Sequence, residues 1–171
     1  LESLVQQKLK AKVLIADGGS TDNTLEIIEN FKNKLKIEIV SKSDSGQSDA
    51  INIMLHYVKT PYFLWFNSDD ILLPNAVNTF ENFLKSNILR PHMISADHYD
   101  FDINGKLKNI YGSNQYKSHI LKGVWRGDFP SLIWKKESVV NAGLCNIDLH
   151  FSMDQDLVYK IALNSKTQLI S

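Results

Sequence analysis

The chain has 171 residues, of which 43% are hydrophobic and 22% charged, a balance that fits one globular domain and argues against disorder. Lys and Arg together number 19, as do Asp and Glu, so no net positive field favours nucleic acid or broad adhesion to an anionic membrane. The single cysteine, Cys145, excludes an internal disulfide and a cysteine-rich metal site, and it suggests a reducing compartment. The sequence contains no run of 18 apolar residues, so we predict no membrane span in it.

Short apolar runs alternate with amphipathic segments through the first half of the chain. In order, we predict a strand at 12–16, a helix after the turn DGGSTDNT, a strand at 36–40, a helix at about 47–57, a strand at 62–66 and a helix with Pro74 in its first turn. Leu25, Ile28 and Phe31 give the first of these helices a predicted buried stripe. The alternation predicts a doubly wound α/β sheet in which the three strands are mutually parallel.

The second half reads differently. We predict a strand from residue 93, a hairpin turning at Asn104–Gly105, a short strand at 131–134 and a helix that begins near Met153. No internal repeat or linker is visible, so we expect one compact domain over residues 1–171.

Acidic segments follow two of the predicted parallel strands. Asp17 follows the first, and the cluster NSDD at residues 67–70 follows the third. Ligands of open parallel sheets bind outside the carboxyl ends of the strands, so we expect both segments at one crevice. The motifs GxGxxG, GxxxxGK, HExxH and GxSxG are absent, which counts against dinucleotide, P-loop, zinc-protease and hydrolase sites.

The cluster NSDD poses a physical problem, because a buried strand runs directly into the paired carboxylates Asp69 and Asp70. Adjacent like charges need a cation, hydrogen-bond donors or full solvation. A solvated turn before the next helix is the simpler interpretation, and a ligand site is the other.

Four segments, in this order, carry a resemblance: DGGSTDNT, SGQSDAIN, WFNSDDILLP and LHFSMDQDLVYKIA. Together they resemble the family 2 glycosyltransferases, and the NSDD and MDxDL forms are most similar to bacterial members that build cell-surface polysaccharides. The resemblance runs over essentially the whole chain. It implies a GT-A fold, Rossmann-like and nucleotide-sugar-binding, with a mostly parallel central sheet. It also implies transfer of a sugar from a nucleotide diphosphate donor to an acceptor hydroxyl, with inversion.

The first motif implies a role for Asp17. DGGST is similar to the family's DDGS segment, so Asp17 would accept a hydrogen bond from the nucleotide base, with Gly18 at the family's second acidic position. The alternative is that Asp17 only caps its turn.

The NSDD cluster matches the family's DxD motif, with Asn67 in place of the first aspartate. By resemblance, Asp69 would bind Mg²⁺ or Mn²⁺, and Asp70 would support the metal or contact the donor sugar. Asn67 would offer a neutral carbonyl to the cation or bond the ribose instead. A divalent cation and a diphosphate would explain why a buried strand ends on paired carboxylates.

The motif near the end implies the catalytic group. Asp154 in MDQDL matches the family's general base, and a carboxylate near neutral pH is already ionised for that task. Ordinary helix capping is the alternative for Asp154, and Asp156 is the next candidate, as a helper or structural residue.

The remaining assignments are weaker. Gln47 and Asp49 in SGQSDAIN are expected to contact the donor, although Ile51 stands where many family members carry arginine. Trp125, Arg126 and Asp128 lie where a loop would cover the donor or meet the acceptor, and core packing is the alternative for Trp125.

The chain begins inside what resembles the family's first helix, so we expect the preceding strand to be missing and the domain to be incomplete. The expected partners are a nucleotide-diphosphate sugar and a saccharide or lipid-linked saccharide acceptor. We expect no nucleic acid, and a place in the cytoplasm or at the inner face of the plasma membrane, reached through regions outside the chain. The alternatives are a nucleotidyltransferase that makes sugar nucleotides and a non-catalytic nucleotide- or carbohydrate-binding module.

Overall fold

The structure is a computed structural model that describes residues 1–8, 10–88, 90–111 and 131–164. The helices in those ranges are α1 (Glu2–Gln6), α2 (Thr24–Phe31), α3 (Gln47–Leu55), α4 (Ala76–Ser86), α5 (Lys136–Asn141) and α6 (Met153–Asn164). The strands are β1 (Val13–Asp17), β2 (Ile37–Ser41), β3 (Tyr62–Leu64), β4 (Met93–Ser95), β5 (His98–Phe101), β6 (Leu107–Tyr111) and β7 (Leu132–Lys135). None of the helices in the described ranges combines the length and apolarity needed to cross a bilayer.

The chain folds into two units, and the first comprises Leu1–Lys59, Ser68–Arg90 and Cys145–Phe151. In it β1 and β2 run parallel, in register from the pair Val13 and Ile37 to the pair Asp17 and Ser41. Helix α3 packs on β1. The predicted parallel pairing of the first two strands, joined by the α2 crossover, is confirmed.

The second unit comprises Thr60–Asn67, Pro91–Leu144 and Ser152–Ser171. Its three-stranded sheet has the order β3-β7-β4, with β7 antiparallel to both neighbours. Trp134 on the central strand β7 is fully buried and pairs in register with Phe63.

The prediction that the third strand joins the first two in one parallel sheet is therefore wrong, because β3 pairs antiparallel with β7 in a separate sheet. It is also shorter than predicted and ends at Leu64. A short apolar run predicts a strand, but it shows neither the direction nor the identity of its partner. The three residues of β3 are half-buried, so the strand is also less buried than predicted. The described residues thus form mixed sheets, and the expected single parallel sheet is not seen among them. The single-domain expectation stays a prediction.

The predicted hairpin is confirmed as the antiparallel pair β5–β6. Its turn is fastened by Asp102, whose Oδ1 accepts the N–H groups of Asn104 and Lys106, each at 2.9 Å. Gly105 adopts φ +76°, a conformation that disfavours side chains with a Cβ.

One helix has a smaller buried stripe than predicted, and another begins later than predicted. Helix α2 has Asn23 as its N-cap residue, and the nearest capping contact is from Thr24 N–H to Asp22 Oδ1 at 3.0 Å. Only Ile28 of its predicted buried stripe is fully buried. Helix α4 begins at Ala76, so Pro74 precedes the helix instead of lying in its first turn. The sequence analysis missed α5, which follows β7 without a loop.

Candidate functional site

Asp17 is the last residue of β1 and is only 5% exposed. Its carboxylate accepts the N–H groups of Gly19 at 3.2 Å and Ser20 at 3.3 Å, and the hydroxyl of Ser41 at 2.9 Å. Ser41 lies opposite Asp17 at the end of β2, so the parallel pairing brings the two side chains together. The turn-capping role that the sequence allowed for Asp17 is present.

The same contacts keep Asp17 charged. The hydrogen bond from the Ser20 side chain, followed by that from Ser41, holds the pKa of Asp17 below its ordinary value of 3.8, because donors to a carboxylate favour its ionised form. Desolvation acts in the opposite direction and is outweighed. A carboxylate that is buried yet ionised at neutral pH therefore stands at the carboxyl edge of the parallel strand pair.

Gly18 lies against the loop between β2 and α3. A Cβ atom built on Gly18 would come within 3.3 Å of Asp44 Oδ2, a tighter contact than most side chains make. Asp44 Oδ1 accepts the N–H of Gly46 at 3.0 Å, which fixes the Asp44 carboxylate in place. An acidic side chain at position 18 would thus meet a like charge at close range, which favours glycine there. The sequence analysis missed Asp44 and Ser41.

Helix α3 uses its polar side chains to fasten neighbouring backbone. Asp49 in its first turn accepts the N–H of Ser45 at 3.0 Å, a capping contact at the positive end of the helix dipole. Asn52 holds Cys145 at both backbone groups, with its Nδ2 donating to the carbonyl at 2.9 Å and its Oδ1 accepting the N–H at 3.0 Å. Ser48 donates to the carbonyl of Leu149 at 3.4 Å. The motif SGQSDAIN therefore supports residues 145–149.

The NSDD cluster forms a turn after β3. Trp65 is 5% exposed, and the chain then emerges so that Asp69 is exposed and Asp70 is half-buried. The Asp69 side chain is therefore accessible to a ligand from solvent.

The described residues contain no group of three or more His, Cys, Asp or Glu side chains placed to hold a metal ion. Mg²⁺ in nucleotide sites is commonly bound through one or two carboxylates together with substrate phosphates. The carboxylate oxygens of Asp69 and Asp70 fit a site of this kind, in which substrate phosphates would supply the remaining ligands.

Asp154 lies in the first turn of α6 and is half-buried. Its Oδ1 accepts the N–H of Gln155 at 2.8 Å. Asp156 pairs with Lys160 at 2.6 Å, one helical turn further on, and so has a structural partner. Ser152, just before the helix, has φ +57°, an unusual conformation for a residue with a side chain.

Helix α6 is anchored by an apolar face, in which Met153, Leu157, Val158 and Ile161 are buried. It also packs against α5. The backbone that carries Asp154 is therefore held by the core of the second unit. Leu157 and Ile161, four residues apart, both lie on this buried face, and the predicted helix start near Met153 is confirmed.

The predicted site residues fall in both units. The first unit contains Asp17, Gln47, Asp49, Asp69 and Asp70, and the second contains Asn67 and Asp154. Trp125, Arg126 and Asp128 lie outside the described residues.

The family model described as Glycosyl transferase family 2 matches residues 1–117, more than half of the chain. The chain belongs to glycosyl transferase family 2. The matched part includes Asp17, α3 and the NSDD turn, whereas Asp154 lies beyond it.

Curated relatives agree with this family. The chain is 23% identical over 168 residues to poly(ribitol-phosphate) beta-N-acetylglucosaminyltransferase TarS of Staphylococcus aureus, a match over 95% of this chain and 25% of TarS. It is 37% identical over 89 residues to chondroitin synthase of Pasteurella multocida, over 51% of this chain and 9% of that enzyme. The resemblance to bacterial family 2 glycosyltransferases of cell-surface polymers is confirmed, and the chain spans a quarter or less of each of these two relatives.

Solved structures show the same fold. The crystal structure of Staphylococcus aureus TarS 1-349 matches with a TM-score of 0.75 at 20% identity, over 96% of this chain and 50% of that one. The same TarS fragment in complex with UDP-GlcNAc also matches with a TM-score of 0.75, over 96% of this chain and 49% of that one. This family 2 chain therefore has the α/β fold of the TarS fragment.

Proposed function

We propose that this family 2 chain binds the donor in an inverting glycosyltransferase that moves a sugar from a UDP-sugar to a hydroxyl of a bacterial cell-surface polymer. The observation that carries the proposal is Asp17, a buried and ionised carboxylate at the carboxyl edge of the parallel strands β1 and β2. Ligands of α/β sheets bind at such edges, and an acceptor of fixed charge and position suits a base N–H donor.

The donor site is proposed on residues from three segments. Asp17 accepts the N–H of the base, and Gln47 at the start of α3 contacts the donor. Asp49 is proposed to contact the donor as well, since only its Oδ2 is used by the bond from the N–H of Ser45. Asn67 bonds the ribose or offers its carbonyl to a cation.

Asp69 is the proposed ligand of Mg²⁺ or Mn²⁺, with Asp70 in support. When bound, the cation neutralises charge that develops on the diphosphate as it leaves. The exposed Asp69 can be reached by a nucleotide and ion arriving together.

Asp154 is the proposed general base. It takes the proton of the acceptor hydroxyl as the oxygen attacks the anomeric carbon, while the bond from that carbon to the diphosphate oxygen breaks with its electron pair. Attack from the face opposite the leaving group inverts the configuration. Asp154 is chosen because it stands at the matched position of the MDQDL motif, and Asp156, which pairs with Lys160, is the next candidate.

UDP-GlcNAc is the proposed donor, because a TarS fragment of the same fold binds it. The proposed acceptor is a saccharide, a lipid-linked saccharide or a polymer such as the poly(ribitol-phosphate) named for TarS. Such a reaction would take place in the cytoplasm or at the inner face of the plasma membrane.

Hydrolysis of a panel of nucleotide sugars, with Mn²⁺ or with EDTA, tests the proposal. A transferase releases UDP from UDP-GlcNAc slowly with Mn²⁺ and not with EDTA. Formation of a sugar nucleotide from sugar phosphate and UTP would indicate a nucleotidyltransferase, an alternative that the family assignment leaves without support. Binding without release of UDP would indicate a non-catalytic module.

A further inference from the structure

Helix α1 makes close contact with the segment that follows the NSDD turn. Ser3 in the helix is 8% exposed and Gln7, its C-cap residue, is 5% exposed, so both polar residues are buried. Buried polar side chains carry a desolvation cost unless they are hydrogen-bonded, so their partners are informative.

Both side chains bond the backbone of residues 72–77. Ser3 Oγ accepts the N–H of Leu72 at 3.3 Å. Gln7 Nε2 donates to the carbonyl of Leu73 at 2.9 Å, and Gln7 Oε1 accepts the N–H of Val77 at 3.2 Å. Gln7 Nε2 also donates to the backbone carbonyl of Ser3 at 3.3 Å, which fixes the Gln7 side chain against the last turn of α1.

These contacts satisfy backbone groups that, in a helix or a strand, would bond to neighbouring backbone. Residues 69–75 belong to neither a strand nor a helix, so their backbone groups depend on partners from other parts of the fold. Asn75, the N-cap residue of α4, makes no side-chain capping bond, and Gln7 instead satisfies the second helical N–H, that of Val77. Leu72 is 6% exposed, so the same segment is also fixed by packing.

We infer that Ser3 and Gln7 are positioning residues that set the conformation of the Asp69–Asp70 carboxylates through the backbone of Leu72 and Leu73. The inference rests on the proposed function, since it gives those carboxylates a ligand to meet. Asp70 is two residues from the amide that Ser3 holds, which leaves few dihedral angles between the fixed point and the carboxylate. A cation site is sensitive to such restraint, because its ligand atoms must converge at bonding distance.

Hydrogen–deuterium exchange tests the contact, and calorimetry of UDP with Mn²⁺ tests its consequence. Gln7→Met keeps the length of the side chain and removes both hydrogen-bonding atoms, so we expect faster exchange of the Val77 amide. The variant loses the two hydrogen bonds to Leu73 and Val77. We therefore expect Mn²⁺-dependent UDP binding to weaken about threefold to tenfold, while UDP binding in EDTA stays unchanged.

Two further comparisons distinguish a positioning role of Ser3 and Gln7 from a general contribution to the stability of the fold. Ser3→Ala should speed exchange of the Leu72 amide and weaken Mn²⁺-dependent binding, whereas Ser3→Thr, which keeps the hydroxyl, should restore both. Ser138→Ala is the matched control. Ser138 lies in α5 and is also buried, and its hydroxyl is hydrogen-bonded to His92 Nδ1 at 2.6 Å, a contact that the alanine removes. It should leave the Mn²⁺ dependence unchanged.

The inference is overturned if the Leu72 and Val77 amides exchange as in the wild type, or if they exchange faster while Mn²⁺-dependent affinity is unchanged. In either case wild-type binding still stands and the proposed function survives. If the wild-type protein shows no Mn²⁺-dependent nucleotide binding, the proposed metal site and this inference fail together.

Discussion

At the scale of single residues, Asp17 combines two tasks that mutation can separate. It fastens the turn after β1, and we propose that it also accepts the base of UDP. Asp17→Asn should weaken UDP binding about tenfold or more, because a charge-assisted hydrogen bond becomes a neutral one. Calorimetry of UDP binding measures the change.

Asp22 offers a matched control, because it too accepts a turn N–H and its pKa is also lowered, chiefly by the side-chain hydrogen bond from Thr24. Asp22→Asn should therefore lower thermal stability slightly and leave UDP affinity intact. If both variants bind UDP as the wild type does, Asp17 is a turn cap only.

Asp154→Asn keeps the size and hydrogen bonding of the side chain but removes its basicity. We expect turnover to fall by roughly 10²–10⁴-fold while UDP binding stays near normal. Asp156→Asn should instead lose the contact with Lys160 and cost some stability, with most of the turnover retained. Steady-state assays beside thermal melts measure both effects, and normal turnover in Asp154→Asn would place the base elsewhere.

Residue-level reasoning from the sequence found the candidate carboxylates but missed the side chains around them. Asp17 was recognised because its motif is local in sequence. Ser41 and Asn52 were given no role, because their importance comes from partners in other segments: Asp17 across a parallel pair, and Cys145 far along the chain. Contacts of this kind carry no local signal. The roles proposed for the site residues stay predictions.

At the scale of elements, β7 organises the sheet of the second unit. Its Trp134 is completely buried between β3 and β4, so Trp134→Ala should lower the free energy of unfolding by about 3–5 kcal/mol. Denaturant unfolding measures the loss. Ile103→Ala, at a fully exposed position of the β5–β6 turn, should change stability by less than about 0.5 kcal/mol. Similar losses in the two variants would contradict the central place of β7.

The stability of the second unit, in which His92 lies beside β4, β7 and α5, should also depend on pH. Burial, followed by the nearby charge of Lys135, lowers the pKa of His92 below its ordinary value of 6.5, although Glu137 acts in the opposite direction. Between the folded pKa and 6.5 the unfolded chain binds more protons, so stability is full above pH 6.5 and falls as the pH drops through that window.

His92→Gln removes this titration and keeps a group that can bond Ser138. Thermal melting temperatures from pH 7.5 down to 5 should fall less steeply in the variant than in the wild type. Parallel pH profiles for the two proteins would show that His92 does not contribute.

The positions of strands and helices could be predicted from the sequence more reliably than the partners of each strand. The alternation of strand and helix correctly predicted the parallel pair β1–β2, because a short crossover leaves few alternatives. The Asn104–Gly105 turn likewise located the β5–β6 hairpin. The direction of β3 could not be predicted, because its partner β7 lies far along the chain and both are short apolar runs. Helix α5 was missed, since six residues directly after a strand give too little periodicity.

At the scale of the whole molecule, the family 2 match covers both segments on which we propose donor binding, the strand edge with Asp17 and the turn with Asp69. In the described structure the Asp17 side chain is bonded to Ser41, and the backbone three residues after Asp69 is bonded to Ser3. The chain covers about half of the TarS fragment that it resembles. Donor binding is the step to test first, because the proposed donor residues Asp17 and Asp69 lie in the described part of the chain.

Calorimetry of UDP, GDP and dTDP, each with Mn²⁺ or with EDTA, tests the central claim. We predict that UDP binds best, that Mn²⁺ tightens its binding about tenfold or more, and that Asp69→Asn removes the metal-dependent part. Absence of UDP binding in both conditions, or UDP binding that is the same with Mn²⁺ as with EDTA, would contradict the assignment of Asp69 and its turn to a metal-assisted nucleotide site.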